Sequence, residues 1–160
     1  MEEKRKYSAD IAAAVNKFLT DDEWNFDFDE DEGQFHFRLT LDGKLKEARY
    51  AIIINEDDYT VYAYSSIGAD KNDERMMSVM ADFICRANYG MKNGNFELDM
   101  MDGEIRYKCY VDCEGALPHH DVIKNSIYCP ASMLDRYGAG IVDIVCLDAS
   151  PADAIAKCEN

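Results

Sequence analysis

Two stretches of alternation, residues 24–28 and 35–41, restrict this chain more than anything else in it. Trp24, Phe26 and Phe28 alternate with Asn25, Asp27 and Asp29. Phe35, Phe37, Leu39 and Leu41 then alternate with Gln34, His36, Arg38 and Thr40. Successive side chains of a strand point to opposite faces, so aromatic residues on one phase and polar residues on the other predict a hairpin with one face buried and one wet. An acidic turn joins the two arms, and Asp42-Gly43 marks the next reversal.

The pattern continues along the chain. Residues 49–55 hold the unbroken apolar run Ala51-Ile52-Ile53-Ile54, which predicts a central strand covered on both faces. Residues 59–66 are β-branched and aromatic and follow the turn Glu56-Asp57-Asp58. Four hairpin-linked strands make an antiparallel meander. Ahead of them, Ser8 is an N-cap candidate for a helix whose face carries Ile11, Val15, Phe18 and Leu19. A second helix starts near Asn72 or Asp73, places Met76, Met80, Phe83, Ile84 and Ala87 at helical spacing, and ends at Tyr89-Gly90. Phe96, Leu98 and Met100 then share a strand face, Asp102-Gly103 turns the chain, and Ile105, Tyr107, Cys109, Val111 and Cys113 line the return. Helical spacing resumes at Val122, Ile123 and Ile127, breaks at Pro130, and returns with Met133, Leu134 and Tyr137. Gly138-Ala139-Gly140 reads as a hinge, and Ser150-Pro151 with Asp153 opens a last short helix. The sum is one α+β domain over residues 1–160, an antiparallel sheet packed against helices in the order α-β-β-β-β-α-β-β-α-α.

Charge narrows the function classes. Acids outnumber bases 32 to 17, a net charge of −15, and the pI is near 4.4. Such a surface repels phosphate backbones and anionic lipid, which argues against nucleic acid and membrane partners. The basic run Lys4-Arg5-Lys6 is too short to reverse this. It precedes an apolar stretch, but residues 11–19 are interrupted by Asn16 and Lys17 and have helical spacing, so they do not read as a signal peptide. No stretch reaches the roughly 18 apolar residues of a membrane span. Six cysteines without a CxxC pair suit buried thiols in a reducing cytoplasm better than a disulfide framework.

Candidate sites are few. Residues 21–32 hold eight acids and no base, and Asp27, Asp29 and Asp31 are spaced like the start of a calcium loop. Glu32 stands where that loop needs glycine and Arg38 where it needs a bidentate acid, so the pattern departs from the motif. Asp27, Asp29, Asp31 and Glu32 are either a solvated hairpin tip or a landing site for a basic partner. Adjacent His119 and His120 diverge by about 100° on a helix and do not converge on one ion. Cys109 and Cys113 share a strand face but lie about 13 Å apart along it, as buried small hydrophobes do. Cys129 with His119 or His120 lacks the glycine turn of an oxyanion site. No phosphate-binding or zinc-protease motif occurs. The expectation is a protein with no catalytic residues, no metal and no cofactor. Its methionines, among them Met76, Met77, Met80, Met100, Met101 and Met133, suit core packing first and adaptable binding second.

One family resemblance rests on Phe83, Asn88, Tyr89, Gly94, Phe96, Glu97, Asp99, Gly103, Glu104, Ile105, Arg106 and Tyr107. With Asp135-Arg136-Tyr137-Gly138 and the apolar run after it, this segment resembles the YbjN family of small bacterial cytoplasmic proteins, labelled sensory transduction regulators. It is strongest over residues 80–112. The family is similar in fold to the type III secretion chaperones, acidic α+β dimers that bind extended client segments. The resemblance therefore implies a homodimer and a protein partner, by analogy. Read from the residues alone, Tyr89 and Phe96 would anchor the second helix on the sheet, and Gly94 would supply a positive φ. Arg106 would pair across strands with Glu97 or Asp99, as a structural ion pair or as a partner-facing strip. The expected function is a non-catalytic, chaperone-like regulatory module that holds a protein segment at a sheet edge or helix groove. The alternative is a small-molecule sensor with a pocket between helix and sheet, lined by Tyr62, Tyr64 or Tyr110.

Overall fold

Each strand expected from the alternation is present, and all neighbours run antiparallel. The computed structural model describes residues 6–160, so Lys4 and Arg5 of the basic run lie outside the described residues. The elements are α1 (Ala9–Asp21), β1 (Asp27–Asp29), β2 (Gln34–Thr40), β3 (Glu47–Ile54), β4 (Asp58–Ser65), α2 (Glu74–Asn88), β5 (Asn95–Leu98), β6 (Ile105–Asp112), α3 (His120–Leu147) and α4 (Pro151–Glu159). This is the α+β order read from the sequence. The six strands form one sheet in the order β1-β2-β3-β4-β6-β5.

Local chemistry accounts for the helix ends. Ser8, Asp73 and Ser150 cap α1, α2 and α4 by accepting from the N–H groups of Ile11, Met76 and Asp153. The apolar stripe of α1 is buried at Ile11, Val15, Phe18 and Leu19, as its spacing requires.

The third helix departs from expectation. It runs unbroken for 28 residues through Pro130, Gly138 and Gly140. A proline removes one backbone donor, and tertiary packing outweighs that loss here. Pro130 is buried with Ile123, Ile127, Ala131 and Leu134 against the sheet. The glycines are close-approach points rather than a hinge. A Cβ on Gly138 would stand 2.8 Å from Leu45 Cγ, and one on Gly140 would stand 2.6 Å from the Phe83 ring. They let α3 press against the 41–46 loop and α2.

The sheet has a covered face and an open one. Phe35, Phe37, Tyr50, Ile52, Ile54, Tyr59, Val61, Ile105 and Tyr107 are buried in the core. Tyr50 donates to the carbonyl of Ile127 at 2.8 Å, and the Tyr59 hydroxyl lies 2.9 Å from Ser126 Oγ. Along the opposite phase the residues are half-buried or exposed, Ala51 apart. Register aligns Arg38, Arg49, Tyr64, Arg106 and Glu97 in one row across it. Arg49 lies over the Tyr64 ring and Arg106 over the Tyr62 ring, at 4.5 and 4.0 Å to the centroids. The central strand β3 is thus covered on one face only. On its open side Ala51 is buried and Ile53 half-buried.

Candidate functional site

The family-motif segment builds the rim of a groove. Helix α2 stops at Asn88, and Tyr89 takes an extended conformation (φ −63°, ψ 118°). That turn swings its ring off the helix face, and Tyr89 is 92% exposed instead of anchoring α2. The chain then passes residues 90–93 and reverses at Gly94, whose φ is +79°. A Cβ there would stand 2.3 Å from the Lys108 carbonyl oxygen, so glycine is required by conformation and by space. Between this loop, β6, α3 and α4 lies a groove of about 470 Å³. Tyr89, Met91 and Lys92 line one side, Met133, Arg136 and Tyr137 the other, with Tyr107, Cys129 and Glu159 also contributing.

The carbonyl of Asn93 organises the groove wall. Tyr107 donates to it at 2.5 Å, Cys129 at 3.5 Å and Cys109 more loosely at 4.0 Å. The neighbouring Cys109, and after it Tyr107, draws the Cys129 thiol down to about 6 against its partial burial. The same contact with Cys129, together with burial, pushes Cys109 well above the usual thiol range. Tyr137 donates to Glu159 at 2.8 Å, and burial and that carboxylate push its hydroxyl up to about 12.

The other motif residues fall into separate places. Asn88 is an edge seal: its side-chain amide donates to the Phe96 carbonyl at 2.9 Å and accepts from the Phe96 N–H at 2.7 Å. Nothing in the spacing of the sequence shows this, because the pair is made by the loop that follows. Phe96 is buried between Tyr107 and Tyr137. Asp99 and Gly103 shape the β5–β6 turn, where the Asp99 carboxylate accepts from Met101 N–H and Gly103 has a φ of +82°. On the open face Arg106 pairs with Glu97 at 2.9 Å, one of the two partners expected, and Glu104 lies 3.7 Å from Arg49. Tyr62, Tyr64 and Tyr110 are on this face too, so the helix–sheet pocket envisaged around them does not form.

Asp27, Asp29, Asp31 and Glu32 sit at the other end of the sheet, on β1 and its turn, far in strand order from the groove. Asp29 spends one carboxylate oxygen on the N–H groups of Asp31 and Glu32. His119 caps α3 through its ring nitrogen, and His120 packs against Phe18. Ten residues of helix, about 15 Å of rise, separate His119 from Cys129. Among the described residues no group of three or more His, Cys, Asp or Glu is placed to hold a metal ion. The exposed Cys85 and Cys146 differ from the buried thiols expected.

Comparison with known proteins comes out unevenly. A solved structure described as the crystal structure of the ExsC–ExsE complex overlays with a TM-score of 0.46 at 11% identity, over 79% of this chain and 91% of that one. An overlay that loose carries no argument. No curated protein matches the chain. The family model described as "Putative bacterial sensory transduction regulator" matches residues 12–142, from the first helix to the end of the groove wall on α3. That span takes in every strand of the sheet and both sides of the groove, and the chain belongs to the YbjN family.

Proposed function

We propose that this protein is a non-catalytic regulatory module that holds an extended segment of a partner protein in the groove between the 89–93 loop and α3. The observation that carries the reading is Tyr89. A large aromatic side chain left 92% exposed at the lip of a groove is costly to keep in water and useful for gripping a chain. Met91 and Met133 give the groove adaptable apolar walls. Lys92, Arg136 and Glu159 supply charge at its rim. The sheet edge is the weaker option of the two, because Asn88 already occupies the outward groups of Phe96. The likeness of the family to secretion chaperones leans the same way by analogy. In this reading the protein works as a homodimer, as the family resemblance implies, and in the cytoplasm, for which its six free cysteines give support. No helix among the described residues is long and apolar enough to cross a membrane. The acids Asp27, Asp29, Asp31 and Glu32 would serve as a secondary, electrostatic contact at the far sheet edge.

The test is site-specific photo-crosslinking in the native host. A photoreactive phenylalanine analogue at position 89 should capture one discrete protein, and the same probe at Tyr110 on the open face should not. Capture at both positions, or only at 110, would remove the groove as the binding site.

A further inference from the structure

The floor of the groove contains chemistry that segment binding does not use. Cys109 from β6 and Cys129 from α3 meet at the Asn93 carbonyl, their sulfurs 4.0 and 3.5 Å from its oxygen. One of the pair is buried and the other opens to the groove. The remaining thiols lack this arrangement: Cys113 and Cys158 are pushed up by burial, and Cys85 and Cys146 lie exposed on helices. We infer that Cys129 and Cys109 form an oxidation site, with Cys129 the thiol that reacts with a hydroperoxide and Cys109 the thiol that resolves it to a disulfide. The site depends on the two sulfurs and stands whatever the groove holds.

The Cys129 thiolate attacks the outer oxygen of the hydroperoxide; the O–O bond breaks, and the alcohol or water leaves after taking up a proton. Cys129 is now a sulfenic acid, oxidised by two electrons. Cys109 then attacks the Cys129 sulfur; the S–S bond forms, the S–O bond breaks, and hydroxide leaves with the Cys109 proton as water. The first step prepares the second. A thiolate at Cys129 is among the causes that hold the proton on Cys109, and the neutral sulfenic acid removes that cause. Access is one-sided, since the oxidant enters by the groove while Cys109 stays sealed beneath the sheet. The charged and titratable groups around the pair are Tyr107 on β6, Tyr50 on β3, Arg136 and Tyr137 on α3, Glu159 on α4 and Lys92 on the loop.

Equimolar hydrogen peroxide, added to the reduced protein under argon at pH 7, tests this. The intact mass should fall by about 2 Da, and trypsin should release peptide 109–124 linked to peptide 125–136. A Cys113→Ser background makes that link unambiguous. Cys129 should react several-fold faster than Cys85 or Cys146, and its alkylation rate should rise with a midpoint near pH 6. In Cys109→Ser oxidation should stop at a sulfenic acid on Cys129, trapped by dimedone. In Cys129→Ser, at a partly exposed position, the linked peptide should vanish with the circular dichroism unchanged. Oxidation spread first over Cys85 and Cys146 would overturn the assignment, as would a Cys129 sulfenic acid that persists in the wild type with Cys109 unlinked. If Cys109→Ser fails to fold, the wild-type peptide map still decides.

Discussion

The two faces of the sheet each carry three tyrosines. On the covered face Tyr50, Tyr59 and Tyr107 are almost wholly buried, and each hydroxyl has a partner: the Ile127 carbonyl, Ser126 Oγ and the Asn93 carbonyl. On the open face Tyr62 and Tyr64 are half-buried, and Tyr110 is 58% exposed. There Tyr62 and Tyr64 lie under guanidinium groups instead. Strand phase alone separates the sets, since Tyr59 and Tyr62 are three residues apart and Tyr62 and Tyr64 are two. A buried hydroxyl must find a hydrogen bond, because the cost of leaving it unpaired is not shared with water. Among the described residues no buried side-chain nitrogen or oxygen is left without one. An exposed ring has no such obligation and can be lent to a neighbour's charge.

That contrast can be broken or sharpened by substitution, read by urea unfolding. Tyr50→Ala should be the most damaging change, about 3–5 kcal/mol, because it opens a cavity beneath α3 and removes the hydrogen bond to the Ile127 carbonyl. A loss below about 1 kcal/mol would mean that α3 is not seated on the sheet as described. Asp143→Asn comes next, at about 1.5 kcal/mol. Asp143 is buried and accepts from Lys157 at 2.5 Å and Lys44 at 3.1 Å, which tie α4 and the 41–46 loop to α3. The hydrogen bond from Lys157, reinforced by Lys44, holds its carboxyl below the usual 3.8. A depressed native value means stability present above 3.8 and lost as pH falls through the native value. The gap between wild type and Asp143→Asn should therefore be full at pH 7 and should close in acid. A gap that widened in acid would contradict the pairing.

Tyr50→Phe, which removes only the hydroxyl, should cost about 1 kcal/mol. Its open-face counterpart Tyr64→Ala should cost less than about 1 kcal/mol, although it deletes a whole ring, since the stack with Arg49 and a distant tilted contact with Tyr62 are what is lost. Equal costs for Tyr64→Ala and Tyr50→Ala would show that the open face is covered in solution. The smallest effect belongs to Arg38→Gln, within about 0.5 kcal/mol, because its pair with Glu47 is exposed on both sides.

Alternation and turn residues carried most of the fold. The phase of Phe35 and Phe37, the caps at Ser8 and Ser150, and the positive φ at Gly94 are local properties, and local chemistry is what a sequence displays. The misreadings share a cause in tertiary contact. Pro130, Gly138 and Gly140 look like breaks until Leu45 and Phe83 are brought against the helix. Tyr89 reads as an anchor of α2 on the sheet, but the backbone leaves the helix at that residue and its ring turns out to solvent. The groove was half legible. Tyr107 and Tyr89 stood out through the family segment, whereas Cys129 and Met133 come from a helix about twenty residues further on, and no pattern along the chain predicts that they face Asn93.

The amide of Asn88 has a consequence beyond the groove. A sheet with two unfinished borders can polymerise, each copy offering a template to the next. Here the β5 border is stopped at Phe96 by a side chain imitating one more strand, while the short β1 border at the other end is left unpaired. Growth along the hydrogen-bonding direction is then terminated on one flank. Copies that meet border to border at β1 would form a finite pair with both stopped flanks outward, and a fibril would have nowhere to propagate.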